Sequence, residues 1–448
     1  MHQTNDKFAP LSFFGAEKES LRCRADGRLA TTRHPEAMGT PLLCPWLTTD
    51  FLEAQIEIIT TPQNSAAALH RELGRLTDQA RRLLPADEFL WPSSAPCILG
   101  PDPELILARY GEKGDGPRRE LYRQGLKLRG GARRQALCGL HLNWSPGPAL
   151  TRNLPAEEIS RRLVRAAAIL SRDSWLLVWL GGASPCAHRS FLGQVDEGPD
   201  FFAPDACSLR LGPHGYRLEE QDGIVLDYSS PQAWGRSLQN AVDTPHPRPE
   251  LRQTQDQNGH RIQIAGGLLQ TEAELYSPVR PKALPKAGES LLQAFAQGRC
   301  EWLELRIPDL NPFFPEGCSL DFLETAELLF FLAWFESETA DDVICTLAEI
   351  SAPARLIATQ GRRQAPDLMP IQSRLFSLLP LLPEAQQQRS LARLQQLTEI
   401  AEGRQAVLSS VIEDACRAEG FVAFHLRHAR GAISPMRPSG AKEPLRSP

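Results

Sequence analysis

Residues 15–23 read GAEKESLRC and follow directly on Leu11, Phe13 and Phe14. In a strand, side chains two apart share a face, so Glu17 and Glu19 point the same way and Lys18 points the other. Two carboxylates on one face repel unless positive charge sits between them. The fold depends on what the rest of the chain brings to that face.

Three further segments have the same alternation. In LHLNWS (140–145), Leu140, Leu142 and Trp144 alternate with His141, Asn143 and Ser145. In EWLELRI (301–307), Leu303, Leu305 and Ile307 alternate with Trp302, Glu304 and Arg306. In QIEII (55–59), Ile56 and Ile58 flank Glu57. Each has one face for a core and one polar face. Between the strands lie helical patterns. Residues 66–84 place Leu69, Leu73, Leu76, Ala80 and Leu83 at steps of four and three. Residues 155–172 open on Pro155, Glu157 and Glu158 and carry Ile159, Leu163, Ala166 and Leu170 on one face. Residues 319–336 are apolar almost all round, the pattern of a buried helix. Pro-rich stretches near 92–103, 231–250 and 278–285 read as long loops, and 384–428 is mostly helix-compatible. Strands and helices mixed in this way predict an α+β fold with a mainly antiparallel sheet.

The bulk properties exclude several classes. A chain of 448 residues, 42% hydrophobic and 23% charged, is globular and buries a large core. A net charge of -5 argues against non-specific nucleic-acid binding, which needs a basic excess. Only seven of the 49 basic residues are Lys, so the frequent Arg pairs reflect composition rather than a patch. Ten scattered cysteines without a C-x-x-C pair, and no leader at the N-terminus, predict a reduced, cytoplasmic protein. The apolar run 328–335 is far too short for a membrane span.

The polar set is Glu17, Glu19, Asp50, Glu57, His141 and Glu304, with Arg306 beside the last. Five carboxylates cannot converge unpaired, and divalent cations would reconcile them. Oxygen ligands with one imidazole suit Mg²⁺ or Mn²⁺ better than zinc, and carboxylate-held Mg²⁺ commonly grips nucleotide phosphates. Taken singly, each residue also has a structural reading: a solvated carboxylate pair, a hydrogen-bonded core histidine, or a sheet salt bridge worth about 1 kcal/mol or less. The chain has no G-x-x-x-x-G-K-[ST], no G-x-G-x-x-G after a strand, no H-E-x-x-H and no G-x-S-x-G. An ATP user built this way holds phosphate with metals and arginines.

These residues sit within a longer resemblance. GAEKESLR (15–22), DGRLATTRHPEAMG (26–39), WLTTDFLEAQIEIITTP (46–62), WPSSAPC (91–97), ELYRQGLKLR (120–129), LCGLHLNWS (137–145), GGASP (181–185) with SFL (190–192), SLRLGPHGY (208–216), TEAELYSPVRPK (271–282) and EWLELRIPDLNPF (301–313) resemble, in order, the proteobacterial glutamate–cysteine ligases. EGFVAFHLRHAR (419–430) is similar to the terminal helix of that family.

The resemblance implies a glutamine synthetase-like fold, a curved antiparallel sheet forming a funnel-shaped active site among helices. The expected parts are a catalytic ligase domain at 12–345, a helical C-terminal part at 346–431 packed on it, and a disordered tail at 432–448. It implies ATP-dependent joining of the glutamate γ-carboxylate to cysteine, the first step of glutathione biosynthesis. A monomer acting on small-molecule substrates is expected. Glu17, Glu19, Asp50, Glu57, His141 and Glu304 match the metal ligands of the family. Glu17, Glu304 and Arg306 are the expected catalytic residues. Arg210 is expected to hold the glutamate α-carboxylate; Tyr122, Tyr216 and Tyr276 line the cysteine pocket, and Arg123 and Asn143 complete the substrate site. Two further readings are a γ-glutamyl ligase for another small amine and a non-catalytic metal-binding homologue. Three features depart from the family: Ala265-Gly266-Gly267 in place of an Asn-rich segment, Ala352-Pro353-Ala354 in place of Asn-Trp-Asn before Arg355, and a shorter C-terminal helical part.

Overall fold

The strand expected around GAEKESLRC runs from Ser12 to Arg24 (β1) and carries the main sheet. The computed structural model describes residues 9–194 and 198–431; the expected disordered tail at 432–448 lies outside them. The other strands are β2 (Leu47–Thr49), β3 (Gln55–Ile59), β4 (Glu88–Leu90), β5 (Leu140–Pro146), β6 (Cys186–His188), β7 (Asp200–Phe202), β8 (Val225–Asp227), β9 (Val279–Lys282), β10 (Trp302–Leu305) and β11 (Ile344–Thr346). The main sheet runs β2-β3-β1-β5-β10-β9, with β4 paired to the end of β1. Every pairing in it is antiparallel. Two small pairs, β6–β7 and β8–β11, stand apart.

Register fixes what the sheet presents. Residues directly opposite in antiparallel strands share a face. Glu17 lies opposite His141, and Glu19 opposite Glu57. Asn143 lies between Gly15 and Glu304, and Glu304 opposite Arg280. The other face carries Phe14, Ala16, Ile56, Ile58, Leu140, Leu142, Trp144, Leu303 and Leu305, all buried.

That apolar face is covered by helices. The helices are α1 (Ala66–Arg82), α2 (Gly116–Gly130), α3 (Pro148–Thr151), α4 (Ala156–Asp173), α5 (Trp175–Gly181), α6 (Pro231–Asp243), α7 (Leu291–Ala296), α8 (Leu320–Glu336), α9 (Leu347–Gln360), α10 (Met369–Leu378), α11 (Glu384–Ala401), α12 (Leu408–Glu419) and α13 (Phe421–Ala429). The expected buried helix is α8, capped by the Ser319 hydroxyl accepting from Phe322 N. Trp144 of β5 stacks on Phe330 of α8 at 5.5 Å between ring centroids, with Phe331 edge-on at 5.8 Å. Apolar residues of α9 to α13 belong to the same continuous core as the sheet.

Two of the expected loops are not loops. Residues 231–243 form α6, because Pro231 occupies the first helical turn, where its missing N–H costs nothing, and Ser230 caps it. Residues 279–282 form β9, an edge strand, where Pro281 removes no needed donor. The stretch 92–103 stays irregular apart from a short turn of 3-10 helix at Asp102–Glu104. The Ala265-Gly266-Gly267 departure has a packing reason. A Cβ on Gly267 would lie 1.8 Å from Val242 O at the end of α6, so this backbone approach requires glycine.

Candidate active site

The polar face of the sheet gathers the acidic residues into two neighbouring groups. Glu17, His141 and Glu304, from β1, β5 and β10, offer ligand atoms all within 4.8 Å of one another. His141 Nδ1 lies 3.4 Å from Glu17 Oε2 and 3.8 Å from Glu304 Oε1. Its Nε2 lies 3.6 Å from Glu19 Oε1. The second group is Glu19, Asp50 and Glu57, near enough that the Asp50 charge acts on both Glu19 and Glu57, while Glu57 is also hydrogen-bonded to Glu17 of the first group. Asp50 sits just after β2, its backbone carbonyl held by Tyr110 Oη and by Arg123 Nε.

Electrostatics separates the groups. Burial is the strongest influence and tends to raise the Glu17 carboxyl, but the His141 hydrogen bond together with the charges of His141 and Lys282 holds Glu17 below its ordinary range. Glu304 is held well below as well: burial is opposed by Lys282, Arg306 and Arg280. Arg306 Nη1 donates to Glu304 Oε1 at 2.8 Å, and Lys282 Nζ lies 3.4 Å from Oε2. In contrast, burial and then Asp50 push Glu19 up to about 8, despite Arg210 and Arg306. Glu57 is raised well above its ordinary value by burial, then by Glu17, Asp50 and Glu19. His141 is lowered to about 4 by burial and by Arg306, so it is a neutral imidazole able to ligate. The donor set therefore fits hard divalent cations. The protein supplies cations around Glu304 but too few around Glu19 and Glu57, and Glu304 Oε2 accepts no hydrogen bond among the described residues.

The expected substrate residues lie around this face. Arg210 is 2% exposed; its Nη2 donates to Arg306 O at 2.7 Å and comes within 3.5 Å of His141 Nε2, leaving Nε without a partner among the described residues. Its guanidinium lies 5.3 Å from the ring of Tyr216, which stacks on Tyr276 at 5.6 Å. Tyr216 Oη donates to Leu137 O, and Gln135 Nε2 donates to Tyr276 Oη at 2.9 Å. Tyr122 and Arg123 are neighbours on α2. Tyr122 is near enough to Tyr276 and Arg280 for their charges to act on its hydroxyl, while Arg123 stacks on Tyr110 at 4.5 Å. Both ends of the Asn143 amide are used within the protein: Nδ2 donates to Glu17 Oε1 and Trp302 Nε1 donates to Oδ1, each at 3.0 Å. Asn143 thereby aims Glu17.

Arg280 and Lys282 of β9 are part of this surface and did not emerge from the sequence. Their alternation with the buried Val279 and Pro281 is a strand signal, masked by the prolines of the segment. Lys18, on the opposite face, is buried and donates to Pro315 O at 2.7 Å, so it does not neutralise Glu17 or Glu19.

A family model for glutamate–cysteine ligase matches residues 2–348. The glutamate–cysteine ligase of Francisella tularensis, solved in complex with AMP, aligns over 95% of this chain and 88% of its own, with 25% identity and a TM-score of 0.85. A bifunctional glutathione synthetase from Pasteurella multocida aligns over 94% of this chain and 52% of its own, with 24% identity and a TM-score of 0.72, a likeness of fold. The α+β architecture, the antiparallel sheet with its acidic face and the family match agree: the chain belongs to the glutamate–cysteine ligase family, and with it to the ATP-dependent γ-glutamyl ligases.

Proposed function

We propose that the protein joins the γ-carboxylate of L-glutamate to the amino group of L-cysteine through a γ-glutamyl phosphate, giving γ-glutamylcysteine, ADP and phosphate. The observation that carries this reading is the arrangement of Glu17, His141 and Glu304 beside the under-compensated Glu19 and Glu57, with Asp50 next to them and Arg306 and Arg210 at its edge. Such a face suits a substrate made of several anions and the cations that accompany them.

A carboxylate does not condense with an amine in water, because oxide is too poor a leaving group. Transfer of the terminal phosphoryl group of ATP to a γ-carboxylate oxygen gives an acyl phosphate. The amine lone pair attacks the carbonyl carbon, the C–O bond to phosphate breaks, phosphate leaves with the electron pair, and the nitrogen loses a proton. Glu17, Glu19, Asp50, Glu57, His141 and Glu304 would hold Mg²⁺, or Mn²⁺ in its place, which when bound offsets the negative charge of the triphosphate. Arg306 keeps its full charge, because the gain from Glu304, Glu19 and Glu17 exceeds the cost of burial; it would stabilise charge on the transferring oxygens. Arg210, whose Nε has no partner among the described residues, would take the α-carboxylate of glutamate, and Tyr122, Tyr216 and Tyr276 would surround the acceptor.

The test is turnover. Purified protein with ATP, Mg²⁺ and glutamate should release phosphate on addition of cysteine and yield γ-glutamylcysteine by mass spectrometry. Greater phosphate release with a different small amine would reassign the acceptor, and none with any amine would favour a non-catalytic homologue.

A further inference from the structure

Just beyond β10, Asp309 is 4% exposed and forms no ion pair among the described residues. A carboxylate taken out of water without a paired cation is costly, so its position needs a reason. Its oxygens are held by three donors from segments distant in sequence. Oδ2 accepts from Ala183 N at 3.0 Å and from Ser184 Oγ at 2.7 Å, and Oδ1 accepts from Ser208 Oγ at 3.1 Å. Both serines are buried, and Ser184 O accepts from Leu209 N at 2.8 Å. Asp309 thereby ties the loop after α5 to the segment that carries Arg210. Burial raises the Asp309 carboxyl, and the charge of Arg210 is the strongest influence that pulls it back down, so the guanidinium stands nearby.

The chain leading to Asp309 also meets that guanidinium directly. Arg210 Nη1 donates to Pro308 O at 3.5 Å, and Nη2 donates to Arg306 O. A Cβ on Gly139 would collide with Nη2, so the backbone confines the guanidinium on this side as well. Residues 306–309 therefore hold Arg210 at its tip through two carbonyls and near its backbone through Asp309 and Ser208. An arginine side chain has many rotamers and a bidentate grip on a carboxylate uses one of them, so restraint at both ends favours binding. Clamp and charge predict opposite signs. The Asp309 charge repels an incoming α-carboxylate, so losing the charge alone would tighten glutamate binding, whereas losing the clamp would loosen it.

We propose that Asp309 is a positioning residue for glutamate recognition: through Ala183, Ser184 and Ser208 it fixes the segment from which Arg210 reaches the α-carboxylate of the donor. The proposal rests on the ligase reading above and on Arg210 as the residue that meets that carboxylate.

The test separates the clamp from the charge. Asp309→Asn can keep all three bonds, since the amide oxygen accepts from Ala183 and Ser184 while the Ser208 hydroxyl turns to accept from the amide nitrogen. Asp309→Ala removes them. In steady-state kinetics Asp309→Ala should raise the KM for glutamate about tenfold and leave those for ATP and cysteine within about twofold. Asp309→Asn should restore the glutamate value to within about threefold of the unaltered protein. In an Arg210→Lys background, Asp309→Ala should add less than about twofold, because the grip it orients is already lost. Ser208→Ala should raise the KM for glutamate about threefold, and it carries the test should Asp309→Ala fail to fold. All three KM values rising together, with a lower melting temperature, would make Asp309 structural only and overturn the proposal. So would an undiminished effect in the Arg210→Lys background, or Asp309→Asn as impaired as Asp309→Ala. An unchanged KM for glutamate in Arg210→Lys alone would remove the role of Arg210 and this proposal with it. No turnover with any amine in the unaltered protein would remove the ligase reading itself, and the proposal with it.

Discussion

Binding of a divalent cation should release protons, and the structure says from which residues. At pH 7 a carboxyl with a pKa of about 8, as at Glu19, is roughly nine-tenths protonated. Glu57 is also raised well above its ordinary value. Glu17 and Glu304 are held low and are already ionised, and His141, at about 4, is already neutral. A cation that takes carboxylate oxygens from the whole face must therefore displace about one proton from Glu19, with any further proton coming from Glu57. Affinity should rise about tenfold or more between pH 6 and pH 7 and level off above pH 8, because below that value the proton competes with the cation. Titration calorimetry with Mg²⁺ at pH 7, in buffers of different ionisation enthalpy, counts the protons. Glu19→Gln should lower the count by about one. Glu304→Gln should weaken binding and leave the count unchanged, because Glu304 is not among the charges that raise Glu19 or Glu57. A count near zero, or an equal loss in both variants, would refute the division of the face into a compensated and an under-compensated group.

Other perturbations test separate parts. Arg210→Lys should raise the KM for glutamate about tenfold while moving that for ATP far less, since a point charge replaces a planar fork; equal effects would make Arg210 structural. Phe330→Ala should cost about 3–5 kcal/mol in urea unfolding, because its ring is fully buried between Phe14 and Trp144. Glu327 of α8 is buried, accepts from Ser12 Oγ at 3.0 Å, and is raised by burial to about 7 from 4.5. The folded state thus holds this proton more tightly than the unfolded one, so stability falls as pH rises from about 4.5 through 7. Glu327→Gln should remove up to about 3 kcal/mol of that loss, seen as a stability gain at pH 8 that is absent at pH 5. Equal gains at both values would show that the carboxyl is not the titrating group.

The period-two alternation in GAEKESLRC, QIEII, LHLNWS and EWLELRI determined which side chains share a face, because strand geometry is local. It placed Glu17, Glu19, Glu57, His141 and Glu304 opposite an apolar face, and the even apolar character of 319–336 marked the helix that covers it. Helix α6 and strand β9 were hidden, because proline reads as loop unless its position is known: the first turn of a helix for Pro231, an edge strand for Pro281. Tertiary structure alone decided the charge balance. Lys282 and Arg280 reach Glu304 only because β9 pairs with β10, while among the described residues no comparable strand brings cations to Glu57. A carboxylate's ionisation depends on which charges stand within a few ångströms and how much water is excluded, and both are set by strands distant in sequence. The sequence therefore determined which carboxylates share a face, and the sheet decided which of them are left without compensating charge.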